Sequence, residues 1–168
     1  MFFARPEPEV PGPGQESVWD FPRPAIAEPT TRLLEVDFGG VTIASTRRGV
    51  RVLETSHPPG YYLPRDDVRM GCLQPLSAAG SMCEWKGAAR YFDVVVGEHR
   101  AQAAAWTYPS PTPTFAILKD HIAFYPSRMQ ACRVDGERAL PQQGVFYGGW
   151  ITADLAGPFK GAPGSRGW

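Results

Sequence analysis

The sequence predicts a mainly β fold. Of the 168 residues, 18 are glycine and 18 are proline, and this frequency of turn-forming residues disfavours a helical bundle. Several short segments alternate apolar and polar residues with a period of two, which is typical of half-buried strands. Aromatic residues make up 12% of the chain, so a core can bury large areas with few aliphatic side chains. We expect one domain, built as a single strongly curved antiparallel sheet or a small open barrel with one or two short helices.

The first 31 residues differ in composition from the rest of the chain. They contain seven prolines, a density that favours an extended arm. We expect Trp19 and Phe21 to anchor this arm to the body, because disordered linkers rarely carry two large aromatics so close together. The predicted organisation is an arm over residues 1–31, a core over 32–140 and a turn-rich C-terminal extension of the same domain over 141–168.

Local turn signals predict individual hairpins and helices. The pairs Gly39-Gly40, Gly97-Glu98 and Asp135-Gly136 each separate two strand-like runs, and such pairs favour tight hairpin turns. Residues 64–68 begin with a proline, which favours the first turn of a helix. A second short helix is expected over 115–120.

Charge and cysteine content exclude several classes of partner. Seventeen basic residues balance seventeen acidic ones, so we expect no nucleic-acid or membrane partner. The N-terminus lacks the features of a signal peptide, and the chain has no apolar run long enough to span a membrane. Cys72, Cys83 and Cys132 form no CxxC pair, which disfavours disulfides and a cysteine zinc site. The sequence therefore predicts a cytoplasmic protein without a metal or another cofactor, either a monomer or a homodimer.

Three polar side chains and one thiol are the candidates for chemistry. His57 lies in a proline-stiffened loop three residues after Glu54, a spacing that suits a general base oriented by a carboxylate; the alternative is an exposed turn histidine. Lys86 would bind an anion or pair with Glu54, or is an ordinary surface lysine. Cys83 is either a nucleophile or an inert buried thiol. No dinucleotide, P-loop, zincin or hydrolase-elbow motif accompanies these residues.

Aromatic residues near turns are the second group of candidates. Rings with a few polar tips suit a flat or cationic ligand through stacking, although an aromatic core explains such residues equally well. The predicted ligand-binding residues, besides Cys83, are Tyr61, Tyr62, Trp85, Tyr91, Trp106 and Tyr108.

Five ordered motifs resemble a bacterial domain of unknown function, the 427 family. They are RVLETSHPP with the following Tyr-Tyr pair at 51–62, CEWKG at 83–87, AWTYP at 105–109, AFYP at 123–126 and FYGGWIT at 146–152. Residues 36–138 resemble the shared core, and the arm and the tail resemble extensions of longer members.

The resemblance implies a small curved-sheet "β-tent" domain, similar in architecture to methionine sulfoxide reductase B and the ligand-binding domain of cereblon. Relatives of that architecture commonly hold zinc with two CxxC pairs, and this sequence lacks both pairs. A nucleotidyltransferase-like label is attached to the family. The sequence has no pair of carboxylates beside a Gly-Ser motif that would hold magnesium for such a reaction. Fold does not determine function.

Two functional hypotheses follow from these patterns. The first is a small-molecule binding or enzymatic domain with a pocket on the concave face of the sheet. Its walls would be Trp85, Trp106 and Tyr108, and its polar tips Glu54, His57, Tyr61 and Lys86. The second is a protein-interaction module that presents aromatics of the arm and the C-terminal extension, and it requires Trp19 and Trp150 to be exposed. A nucleotidyltransferase-like enzyme and a thiol enzyme using Cys83 are the lesser alternatives.

Overall fold

A computed structural model describes residues 5–77, 82–83, 86–144 and 146–168, with residues 82–83 described by their backbone only. Strands account for 43% of the described residues and helical segments for 12%. These values confirm the prediction of a mainly β fold. Within the described part of the chain, no helix has the length and apolar character that crossing a membrane requires.

The first two strands belong to the arm, and the next two form a hairpin. The strands are β1 (Glu16–Ser17), β2 (Ile26–Thr30), β3 (Leu34–Phe38), β4 (Val41–Thr46), β5 (Gly49–Leu53), β6 (Gly60–Pro64), β7 (Leu73–Pro75), β8 (Met82–Cys83), β9 (Gly87–Ala88), β10 (Arg90–Val96), β11 (His99–Thr107), β12 (His121–Phe124), β13 (Ala131–Val134), β14 (Glu137–Arg138), β15 (Leu140–Pro141), β16 (Trp150–Ile151) and β17 (Leu155–Ala156).

Helical structure is confined to short 3-10 segments in the described residues, at Val18–Asp20, Arg65–Asp67, Met70–Cys72, Pro113–Leu118 and Pro126–Arg128. The helices expected after Pro64 and around Phe115 are present, and three further single turns were not expected. One of them interrupts the arm, where the Ser17 hydroxyl accepts a hydrogen bond from the Trp19 amide.

The strands are divided between two main sheets instead of the single sheet that the sequence suggested. A seven-stranded antiparallel sheet has the order β2-β5-β6-β12-β11-β10-β7, and a four-stranded antiparallel sheet has the order β14-β13-β3-β4. The hairpins at Gly39-Gly40 and Asp135-Gly136 belong to the smaller sheet, while β10 and β11 form the third predicted hairpin. The division follows from burial, because the apolar face of each sheet covers that of the other.

Alternation along the strands gives the seven-stranded sheet two apolar faces. Tyr61 and Leu63 lie in the larger core cluster, between the two sheets, together with Ile122 and Phe124. The intervening Tyr62 lies in a second cluster on the opposite face. This second face carries most of the aromatic side chains singled out in the sequence, and it forms the floor of the cleft described below.

The arm and the tail pack together on the edge of the domain. Trp19 and Phe21 are buried in a cluster with Leu53 and Leu155. Edge strand β2 tolerates Pro29 because a proline lacks only an N–H group that an edge can spare. The arm therefore contributes the edge strand β2 to the seven-stranded sheet.

Candidate functional site

A cleft of about 430 Å³ opens on the second face of the seven-stranded sheet. Its floor is formed by β5, β6, β10 and β11, and its rim by the loop after β5 and by the C-terminal tail. Seven residues predicted from the sequence line it: Glu54, His57, Tyr62, Lys86, Tyr91, Trp106 and Tyr108.

The strand register brings the aromatic rings together. Tyr91 of β10 lies directly opposite Trp106 of β11, and β12, which ends next to Tyr125, lies between β11 and β6. The Trp106 ring centroid is 4.4 Å from that of Tyr125 and 6.2 Å from that of Tyr62. Tyr62 also lies 6.3 Å from Tyr108. These contacts form a continuous aromatic wall.

Burial makes this wall a fixed surface. Tyr62, Trp106, Tyr108 and Tyr125 are all less than a tenth exposed. Burial and, to a smaller extent, the neighbouring Tyr91 hydroxyl together raise the pKa of Tyr125 to about 12. Tyr125 therefore keeps its proton at neutral pH and presents a neutral phenol to the cleft.

A tight turn after β5 pairs Glu54 with His57. The His57 amide donates to the Glu54 carbonyl at 3.0 Å, and Ser56 within the turn has a φ of 72°. The turn brings His57 Nε2 to 3.2 Å from Glu54 Oε2. Arg23 of the arm also approaches this carboxylate, at 3.8 Å. The two side chains that the sequence spacing connected are thus in contact.

Glu54 is ionised in this setting. Burial raises the pKa of its carboxyl, but the hydrogen bond from His57 and the neighbouring positive charges, among them Lys86 and Arg23, outweigh that effect. The pKa of Glu54 consequently lies below its ordinary value. The cleft therefore holds a fixed negative charge at neutral pH.

The second nitrogen of His57 contacts the tail. Gln142 Nε2 lies 3.1 Å from His57 Nδ1, and Gln142 is only 5% exposed. The Tyr147 ring packs edge-on against the imidazole, with 5.5 Å between ring centroids. Glu54 and Gln142 therefore contact the two imidazole nitrogens, and Tyr147 packs against the ring.

Lys86 supplies a positive charge to the same cleft. Its Nζ lies 6.0 Å from the ring centroids of Tyr108 and Phe115, at the outer range for a cation–π contact. The charge of Lys86 is among those that lower the pKa of Glu54. The cleft consequently combines an acceptor and a donor of opposite charge.

One predicted site residue, Tyr61, lies away from the cleft. Tyr61 faces the core between the sheets, because its neighbour Tyr62 occupies the cleft side of the same strand. Tyr61 is 2% exposed and packs 5.1 Å from the Trp150 ring, so its proposed role as a polar tip of the cleft does not fit. Trp85 and the Cys83 side chain lie outside the described residues.

A family model for a domain of unknown function (DUF427) matches residues 26–135, more than half of the chain. The chain belongs to the DUF427 family. The match begins at Ile26, the first residue of β2, whereas the motifs placed the start of the shared core at residue 36. It ends at the turn between β13 and β14. A comparison with curated proteins gives no match.

Several cleft residues lie beyond the part of the chain that matches DUF427. Gln142, Phe146, Tyr147 and Lys160 all come from the tail. Neither Gln142 nor Lys160 was expected at this site from the sequence. Nothing local to either residue signals its place, since Gln142 and His57 are 85 positions apart.

The Gly148-Gly149 pair is the one signal in the tail that could have located it over the cleft. A Cβ on Gly148 would lie 2.4 Å from Trp106 Cη2, and one on Gly149 would lie 2.6 Å from Gln142 Oε1 and from Pro58 Cγ. Two glycines between aromatics often mark a close backbone approach. Here they let the tail backbone cross directly above the aromatic wall.

Proposed function

We propose that this protein binds a small organic molecule in the cleft. The observation that carries the proposal is the meeting of the ionised Glu54 carboxylate and the aromatic wall around Trp106 in one concavity. Its volume lies within the usual range for ligand sites, about 300–1,000 Å³. The described lining residues include aromatic rings, the Glu54 carboxylate and the ammonium groups of Lys86 and Lys160.

The ligand that suits these groups has a flat ring system and a polar group at one end. The ring would lie in the cleft against Trp106 and the partly exposed ring of Tyr91, and the polar group would donate a hydrogen bond to Glu54. A ring that buries ~150 Å² of apolar surface gains roughly 4 kcal/mol from burial. Part of this gain offsets the translational and rotational freedom lost on association, so we expect weak, millimolar-range binding. Solution NMR detects binding in this range.

The test uses three indole probes that share one ring and differ in charge: tryptophol, tryptamine and indole-3-propionic acid. Each is titrated to millimolar concentration into the full chain, and the indole N–H signals of Trp106 and Trp19 are followed. We expect at least one probe to shift the Trp106 signal in a saturable way. Trp19 Nε1 is bonded to the Pro158 carbonyl at 2.9 Å, so its signal is the internal control.

Two results would oppose the proposal. One is that all three probes leave the Trp106 signal unchanged. The other is that Trp19 and Trp106 shift in parallel without saturation, which is the behaviour of non-specific contact.

The alternative of a protein-interaction module receives less support. It requires Trp19 and Trp150 to be available to a partner, and these residues are 8% and 0% exposed. Phe146 is 85% exposed, but it stands at the rim of the cleft. A ring in this position serves a small ligand at the cleft mouth equally well.

A further inference from the structure

The side-chain amide of Gln142 is fixed by three hydrogen bonds. Its Nε2 donates to the Lys160 carbonyl at 2.8 Å and lies 3.1 Å from His57 Nδ1, while its Oε1 accepts from the Gly149 amide at 3.1 Å. Gln142 is almost completely buried. The orientation of this amide is therefore fixed unless its oxygen and nitrogen can exchange places.

Exchange of the two ends is excluded by the backbone groups around them. A reversed amide would place its oxygen against the Lys160 carbonyl oxygen and its NH₂ group against the Gly149 N–H. Both hydrogen bonds would become contacts between like groups, and each buried polar group left without a partner costs about 1–3 kcal/mol. Two backbone groups therefore orient Gln142 with its NH₂ toward His57.

The protons of His57 follow from this orientation. A hydrogen on Gln142 Nε2 points at His57 Nδ1, so Nδ1 must carry a lone pair and accept. In the neutral ring the single hydrogen then resides on Nε2. Nε2 lies 3.2 Å from Glu54 Oε2, so it donates to the ionised carboxylate.

We propose that Gln142 is a positioning residue that fixes His57 in the neutral Nε2–H tautomer. His57 is then a donor that orients Glu54, and it offers no lone pair to the cleft. The group that acts on a ligand is the Glu54 carboxylate. This reverses the roles expected from the sequence, in which Glu54 oriented His57 as a base.

The tautomer assignment concerns the protein without ligand and does not rest on the proposed function. The role of Glu54 toward a ligand does rest on it. The experiments below measure the tautomer in the absence of any probe, so a failure of the indole titrations and a failure of this assignment are separate results.

The direct test is a long-range ¹H–¹⁵N correlation spectrum of the histidine rings in the full chain at neutral pH. His121 is a built-in reference, because its Nδ1 faces the Lys119 carbonyl at 2.8 Å and must donate. We expect the Nδ1–H pattern for His121 and the opposite Nε2–H pattern for His57. An Nδ1–H or doubly protonated pattern at His57 would overturn the assignment.

Two variants separate the contributions of the two neighbours of His57. In Glu54→Gln the contact with Gln142 is retained, so His57 should keep the Nε2–H pattern. In Gln142→Glu the group facing Nδ1 can only accept at neutral pH, so His57 should gain a second ring proton. Loss of the Nε2–H pattern in Glu54→Gln would show that the carboxylate sets the tautomer, against the proposal.

A matched control is available one residue away. Gln143 is exposed, and Gln143→Glu introduces the same charge without a contact to the ring. We expect an unchanged His57 spectrum in this control. If Gln142→Glu fails to fold, Gln142→Leu gives the same information, because removal of the donor should abolish the single-tautomer pattern; an unchanged His57 pattern in either variant at position 142 would contradict the proposal.

Discussion

Gly148 is the point at which the tail approaches the aromatic wall most closely. A Cβ at this position would lie 2.4, 3.2 and 3.3 Å from three ring atoms of Trp106, whereas ordinary van der Waals contact begins at 3.4 Å. The Gly148→Ala variant therefore requires a displacement of about 1 Å. The Trp106 ring cannot supply it, because Tyr125 and Tyr62 pack against it.

We expect the tail backbone to move instead, at the expense of stability. Forcing one extra methyl group into a packed site costs about 1–3 kcal/mol. For a chain of this size each kcal/mol lowers the melting temperature by about 2–4 °C, so Gly148→Ala should melt about 2–12 °C below the parent protein. Differential scanning calorimetry measures this change, and the near-UV circular dichroism of Trp106 should change with it.

Gly71→Ala is the matched control for this experiment. Gly71 lies in an exposed 3-10 turn, and no heavy atom lies within 4 Å of its Cβ position. A glycine-to-alanine change at an unstrained position is neutral or stabilises by up to about 1 kcal/mol. If Gly148→Ala melts at the same temperature as Gly71→Ala, the tail does not cross the Trp106 ring as described, and the cleft loses its rim.

Further predictions concern acid sensitivity, the arm and the buried thiol. The pKa of Glu54 is lower in the folded protein than its ordinary value of 4.5. The ionised carboxylate therefore stabilises the fold fully above about pH 4.5, and this stabilisation is lost as the pH falls through the folded-state pKa. In urea unfolding between about pH 6 and pH 3, Glu54→Gln should lose less stability than the parent protein. Arg51 is 13% exposed, and it forms ion pairs with the arm residues Glu16 and Glu28 at 2.8 and 2.7 Å. Because both carboxylates are partly exposed, Arg51→Met should destabilise the fold by only about 1–2 kcal/mol in denaturant titrations and make the arm more sensitive to limited proteolysis. An unchanged unfolding midpoint would refute a role of these ion pairs in holding the arm. Burial raises the pKa of the Cys132 thiol far above its usual range, so peptide mapping after alkylation at neutral pH should find Cys132 unmodified in the native protein and modified in urea, and native modification would contradict its burial.

The parts of the fold that the sequence predicted correctly are local. A Gly-Gly or Asp-Gly pair determines a tight turn by its own backbone preferences, so the hairpins at Gly39 and Asp135 could be located without knowledge of the rest of the chain. Tyr61 and Tyr62 were both predicted to bind the ligand, although neighbouring residues of a strand lie on opposite faces. Sequence alone could not show which of the two faces would border the cleft, and the polar role expected for Tyr61 failed for that reason.

The parts that could not be predicted depend on contacts between distant segments. Glu54 and His57 are three residues apart, and their spacing was sufficient to suggest a pair. Gln142 reaches the same imidazole from the tail, and its role depends on two backbone groups, at Gly149 and Lys160, that turn its amide. The division of strands into two sheets has the same origin, since β3 pairs with β13 across nearly a hundred residues.

The measurement that tests the account most directly is a crystal structure of the protein soaked with tryptophol. We predict an indole ring in the cleft, in contact with Trp106, with the probe hydroxyl donating to Glu54 and no contact between the probe and His57 Nδ1. Density for the probe at a different surface, or a probe bonded to His57 Nδ1 with Gln142 displaced, would contradict it.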